Sequence, residues 1–192
     1  YTHIVIYGDR EHFANIRFMS GYDPRFEEAL MIVALDGKST LVVGNEGLDY
    51  ARVTDEINLV LYPHFSLQGQ PRNRGKDLAG IFLGSGIGSS SQIGIVGVKY
   101  METDEFKEAE FLSDIPSYIV DLLRKLSGEQ QVRDVTLWFT HPSNGFRIAL
   151  NVREIALYEA ANCYVYAGMR RALQSLRIGV SELEIAAQLG FN

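Results

Sequence analysis

Residues 28–43 read EALMIVALDGKSTLVV. Positions 28–35 are almost uninterruptedly apolar, as in a strand covered on both faces. Residues 41–43 are a second β-rich run, and the Asp36-Gly37-Lys38-Ser39 segment between them has the chemistry of a tight turn. The pair is therefore expected to form a β-hairpin. Working outward, 2–7 (THIVIY), 56–62 (EINLVLY), 92–98 (QIGIVGV) and 134–139 (DVTLWF) read as further strands. Helices are expected at 47–52, 76–83 and 115–126, the last carrying Ile115, Ile119, Leu122, Leu123 and Leu126 near helical spacing. Strands alternating with helices predict a layered α/β domain with a mixed sheet. The polar loop 68–75 is expected to be exposed.

Beyond about residue 146 the strand signal stops. Residues 152–176 read as one long helix whose apolar side chains spread over most of its circumference, so it expects cover on several sides. Arg177-Ile178-Gly179 ends it, and Ser181 with Glu184 matches a capping box that opens a second helix to about 189. The predicted division is 1–146 and 147–192. Two helices cannot bury that much apolar surface between themselves, so they either dock elsewhere or open a larger domain.

Composition narrows the function. The chain has 192 residues, 46% hydrophobic and 22% charged, with a net charge of −6 and a pI near 5.2. An acidic chain without Lys/Arg clusters argues against nucleic acid. No apolar run is long enough for a membrane span, and residues 2–7 lack the flanks of a signal peptide. One cysteine, Cys163, excludes an internal disulfide, and a cytoplasmic protein is the expectation. Cys163 lies inside the apolar helix and reads as a buried small hydrophobe.

The chemistry-bearing residues do not assemble into a familiar site. The four histidines, His3, His12, His64 and His141, lack metal-ligand spacing, and none is expected to bind metal. The glycine-rich run GSGIGSSS (84–91) follows a helix and precedes a strand, the reverse of a phosphate loop. Glu154, Glu159, Glu182 and Glu184 read as capping or solvated helix residues. The densest polar cluster is GDREH (8–12) with YDPRFEE (22–28), at strand ends where α/β proteins often bind ligands. In the plainer reading these charges pair among themselves, Asp9 with Arg10 or Arg17.

Several stretches carry a resemblance. NIRFMSGY (15–22), ALMIV (29–33), Asp36-Gly37 and LVV (41–43) resemble the N-terminal domain of the creatinase/prolidase/aminopeptidase P family. Arg147, Glu154, Ile155 and Ala160 resemble the junction with its catalytic domain, with Leu150 where the family usually has lysine. IGVSELEIA (178–186) resembles the start of the next helix. The resemblance implies a three-layer, mixed-sheet α/β domain and then the opening helices of a pita-bread metallohydrolase domain. It implies that the chain starts after the family's first helix. It also stops before the two Asp, one His and two Glu that hold two divalent metal ions (Mn, Co or Zn), so no catalytic residue or metal ligand is expected here. It further implies a homodimer acting on a small peptide or amide, with an Xaa-Pro peptide as the expected substrate. In such dimers the loop after the SGY-like motif reaches the partner's active site, which makes Tyr22, Asp23, Arg25 and Phe26 the substrate-entrance candidates. A non-enzymatic interaction or dimerisation module is the competing expectation.

Overall fold

The computed structural model describes residues 1–52, 56–73 and 75–190. It divides into two units, residues 1–148 and 149–192.

The hairpin is the centre of the first unit. β2 (Ala29–Ala34) pairs antiparallel with β3 (Ser39–Val43), Ala29 opposite Val43 and Val33 opposite Ser39. Gly37, at φ +87°, closes the turn, where a left-handed backbone suits glycine. β1 (His3–Gly8) joins the other side of β2 antiparallel. β4 (Asn58–Leu61) adds to β3, β5 (Ile93–Val96) to β1 and β6 (Val132–Asp134) to β5, all parallel. The sheet order is β4-β3-β2-β1-β5-β6, and β2 alone runs against the rest.

Alternate residues of these strands feed two cores, which makes the unit three-layered. One face carries Val5, Leu30, Ile32, Val42, Ile93 and Ile95. It is covered by α2 (Leu78–Gly84), through Leu78, Ile81 and Phe82, and by α3 (Ser117–Ser127), through Ile119, Val120 and Leu123. The opposite face carries Ile6, Met31, Leu41, Val43 and Val96. It is covered by α1 (Ala14–Ser20), through Ile16, and by α4 (Leu137–Thr140), through Phe139. The mixed three-layer α/β architecture expected from sequence is the one observed.

Three local expectations are corrected. Residues 134–139 are not a strand: β6 lies earlier, at Val132–Asp134, and Leu137–Thr140 is helical. Asp134 causes the break, because its carboxylate accepts from the backbone N–H (2.9 Å) and hydroxyl (3.0 Å) of Thr136, a turn that diverts the chain. Residues 47–52 form turns, with a helix-like bond from Ala51 N–H to Gly47 C=O, 2.7 Å. Seven residues from Ala14 form a helix that the sequence reading left unassigned, stopped by left-handed Gly21 at φ +75°.

Buried Asn15 ties distant parts of this unit together. Its Nδ2 donates to Gly97 C=O (2.9 Å) and its Oδ1 accepts from Arg147 Nη1 (2.9 Å). Asn15→Ala is expected to destabilise the first unit by roughly 2 kcal/mol, because the Gly97 carbonyl loses its donor. A chemical denaturation curve checks this, and an unchanged midpoint would show the tie to be dispensable.

In the second unit α5 (Val152–Ser175) starts on a capping box of Asn151 and Glu154. α6 (Glu182–Ala187) starts on the expected one of Ser181 and Glu184. Arg171 donates to Gln188 C=O (3.0 Å) and Leu189 C=O (2.6 Å), satisfying carbonyls at the end of α6. Gly168 permits the approach, since a Cβ there would stand 3.1 Å from the Leu189 oxygen. Only Gly168 and Ala172 of α5 are buried. Cys163 is therefore exposed, not buried as expected, because the stripe that α6 covers is narrow.

Candidate functional site

Because β2 alone is reversed, the C-terminal ends of β1, β3 and β4 meet the start of β2 along one edge of the sheet, where α/β proteins tend to place ligand sites. The polar residues gather there. After β1, Asp9 Oδ1 accepts from the N–H groups of Glu11 (2.9 Å) and His12 (2.7 Å) and meets His12 Nδ1 at 3.0 Å. Asp9 thus pairs with His12, not with Arg10 or Arg17, because its carboxylate is committed to the turn. Before β2, Glu28 accepts from Tyr7 Oη at 2.8 Å. Burial and this carboxylate push the Tyr7 phenol well above its ordinary range.

Glu27 is the most unusual residue of the edge. It is only 4% exposed, and its oxygens accept from the N–H groups of Gly47 (2.8 Å) and Glu46 (3.3 Å). Burial first, and the neighbouring Glu46 second, push its carboxyl up to about 7. Glu46 is held below the ordinary carboxylate range, chiefly by the neighbouring Glu27 carboxyl. Both Glu46 carboxylate oxygens are enclosed. Backbone Leu67 and the Ser66 hydroxyl lie close enough to favour its charge but not in good hydrogen-bond alignment. Burial thus favours the protonated form of the Glu27 carboxyl. The chain allows the approach through glycine, because a Cβ on Gly44 or Gly47 would collide with the Glu27 carboxylate.

Two clefts flank this edge. One, of about 450 Å³, is lined by Glu27, Glu28, His64, Phe65, Arg10 and Arg72 among others. The second, of about 610 Å³, holds Arg10, Arg17, Asp23, Arg25 and Phe26. The four entrance candidates separate here. Tyr22 is 1% exposed inside the second core, its ring 5.8 Å from that of Tyr50. The Asp23 side chain is largely covered and stands 3.9 Å from the Arg25 guanidinium. Arg25 and Phe26 face outward, with Phe26 55% exposed. Tyr22 can therefore brace the loop, while Arg25 and Phe26 can contact a ligand. Sequence reasoning missed the Glu27–Glu46 pair. Its one legible signal is Gly44-Asn45-Glu46-Gly47 directly after a strand, two glycines bracketing a carboxylate.

Among the described residues, no group of three or more His, Cys, Asp or Glu could hold a metal ion. No described helix is long and apolar enough to cross a membrane. The glycine-rich run after α2 connects that helix to β5.

The architecture is that of the N-terminal part of prolidase-type enzymes. Among solved structures, it is similar to prolidase from Pyrococcus furiosus (TM-score 0.62, 18% identity, 98% of this chain and 43% of that one). It is also similar to prolidase from Pyrococcus horikoshii OT3 (TM-score 0.64, 16% identity, 97% and 42%). X-Pro aminopeptidase from Thermotoga maritima MSB8 matches with TM-score 0.63, 15% identity, and 97% and 44% coverage. The chain thus spans less than half the length of the structures it resembles. No family model matches the sequence, and no curated protein sequence matches it.

Proposed function

We propose that this chain is the N-terminal part of a metal-dependent hydrolase acting on Xaa-Pro peptides. In this reading residues 1–146 form a non-catalytic domain, and 147–192 open the catalytic domain, whose metal ligands lie outside these residues. The observation that carries it is the fold likeness to two prolidases and an X-Pro aminopeptidase over 97–98% of this chain. The protein acts as a homodimer in the cytoplasm. The loop of Tyr22, Asp23, Arg25 and Phe26 shapes the substrate entrance of the partner subunit, where Arg25 offers a planar guanidinium to a peptide carboxylate. Two divalent ions in the catalytic domain would activate water and polarise the scissile carbonyl.

The test uses the natural gene product with Mn, Co or Zn and an Xaa-Pro dipeptide. Metal-dependent hydrolysis is expected. Arg25→Ala should raise KM by roughly tenfold with kcat little changed, as loss of a binding contact does. No hydrolysis with any of the three metals would overturn the reading. A second reading, a non-enzymatic dimerisation module, draws on the exposed Val152, Tyr164, Val165 and Tyr166 of α5. It is the outcome if the gene product self-associates through that helix yet hydrolyses nothing.

A further inference from the structure

We infer that the cleft between α4 and the loop that follows it docks a proline-rich segment in the extended polyproline II form. The inference is independent of any peptidase activity and concerns the first unit alone.

The cleft, of about 460 Å³, is lined by Leu137, Trp138, His141, Asn144 and Phe146. Its walls are fixed by backbone bonds. After α4 the chain doubles back, with Phe146 N–H donating to Trp138 C=O (2.8 Å) and Gly145 N–H to His141 C=O (3.0 Å). Gly145 permits the reversal, since a Cβ there would stand 2.7 Å from both Phe139 O and His141 N. The rings are held as well. Trp138 packs edge-on with Tyr1, 5.3 Å between centroids, and Phe146 edge-on with buried Phe139, at 5.4 Å. Both nevertheless remain open to solvent, Trp138 44% and Phe146 55% exposed. A partner that covers these two aromatic surfaces therefore orders little on the protein side.

The hydrogen-bonding groups are nearly all donors. His141 Nδ1 accepts from the N–H groups of Ser143 (3.1 Å) and Asn144 (3.3 Å), so the ring hydrogen sits on Nε2. Neither that Nε2–H nor the Trp138 indole N–H has a partner among the described residues. The one uncommitted side-chain acceptor in the lining is Asn144 Oδ1. No acid, lysine or arginine lines the cleft, although the chain carries a net charge of −6 and the clefts at the β2 edge hold both signs.

The complementary partner is uncharged, rich in apolar rings, and brings acceptors without donors. A proline-rich segment meets each requirement. Proline has no N–H to satisfy, the polyproline II backbone has no internal hydrogen bonds, so its carbonyls are free to accept, and pyrrolidine rings pack on aromatic faces. An amphipathic helix would bring apolar groups, but its carbonyls are spent within the helix. An anionic lipid surface would call for cations that this lining lacks.

Trp138 is the only tryptophan of the chain, so its fluorescence reads the cleft directly. Decaproline is titrated into the 192-residue chain, with a glycine–serine decapeptide as the control. Decaproline is expected to give a saturable blue shift of Trp138 emission and to protect Trp138 from acrylamide quenching, equally at low and high salt because no charge takes part. The control peptide should do neither. Phe146→Ala, checked for folding by a thermal melt, should weaken decaproline binding by roughly tenfold or more. The quenching measurement on wild type needs no variant to fold. No change in emission or quenching with decaproline at about 1 mM would overturn the proposal. So would an equal response to the glycine–serine peptide, or an emission shift produced by raising the protein concentration alone, which would mean that a second copy covers the cleft.

Discussion

Phe82→Ala is expected to cost about 3–5 kcal/mol, a large share of the roughly 5–15 kcal/mol that holds a typical domain together. Phe82 has no solvent exposure and belongs to the cluster in which α2 and α3 meet Val5, Ile93 and Ile95 of the sheet. α2 is only seven residues long, so its position depends on packing far more than on helix propensity. Removing the ring opens a cavity at the centre of that layer, and the parallel strands behind it cannot move in without breaking their register. Thermal unfolding followed by circular dichroism should show Tm lowered by roughly 10 °C or more. A loss below about 1 kcal/mol would mean that the layer is not the cooperative core described above.

Gly44→Ala is expected to cost about 2–3 kcal/mol, the upper range for overpacking. The new methyl would lie 2.7 Å from Ser66 N and 2.7 Å from Glu27 Cδ, and closer still to a Glu27 oxygen. One of those neighbours is backbone and the other is pinned by two N–H groups, so neither yields easily. Gly37→Ala is the instructive contrast. Nothing stands within 4 Å of a Cβ there, and only the left-handed turn at φ +87° is strained, which costs about 1 kcal/mol. Denaturant midpoints of the two variants distinguish crowding from backbone strain. If Gly37→Ala proved the more damaging, the close seat of Glu27 under the 44–47 segment would be disproved.

What could be read from the chain in advance follows the length scale of each interaction. The hairpin was legible because its turn and both apolar runs are contiguous, and the α5 and α6 boundaries because glycine and capping residues act locally. The α4 region was not. LWF has the composition of a strand, and only the turn made by Asp134 and Thr136 decides otherwise. α1 was missed because seven residues give too few periods for a pattern. Arg25 and Phe26, singled out through the family resemblance, are exposed. Tyr22 sits in the same motif but is spent on the core. The Glu27–Glu46 pair joins residues from either side of a hairpin, and nothing local to Glu27 announces that it is buried.

The tie between Asn15 and Arg147 bears on the order in which a ribosome delivers this chain. Its partners lie 132 positions apart, and β1 gains its second neighbour only when residues 93–96 arrive. The β1–β2–β3 meander can pair as soon as it emerges, but one edge of β1 then waits unpaired through the synthesis of some fifty further residues, counted from Val43 to Ile93. That interval is when β1 is open to the wrong partner, and the Arg147 bond to Asn15 is among the last contacts to close.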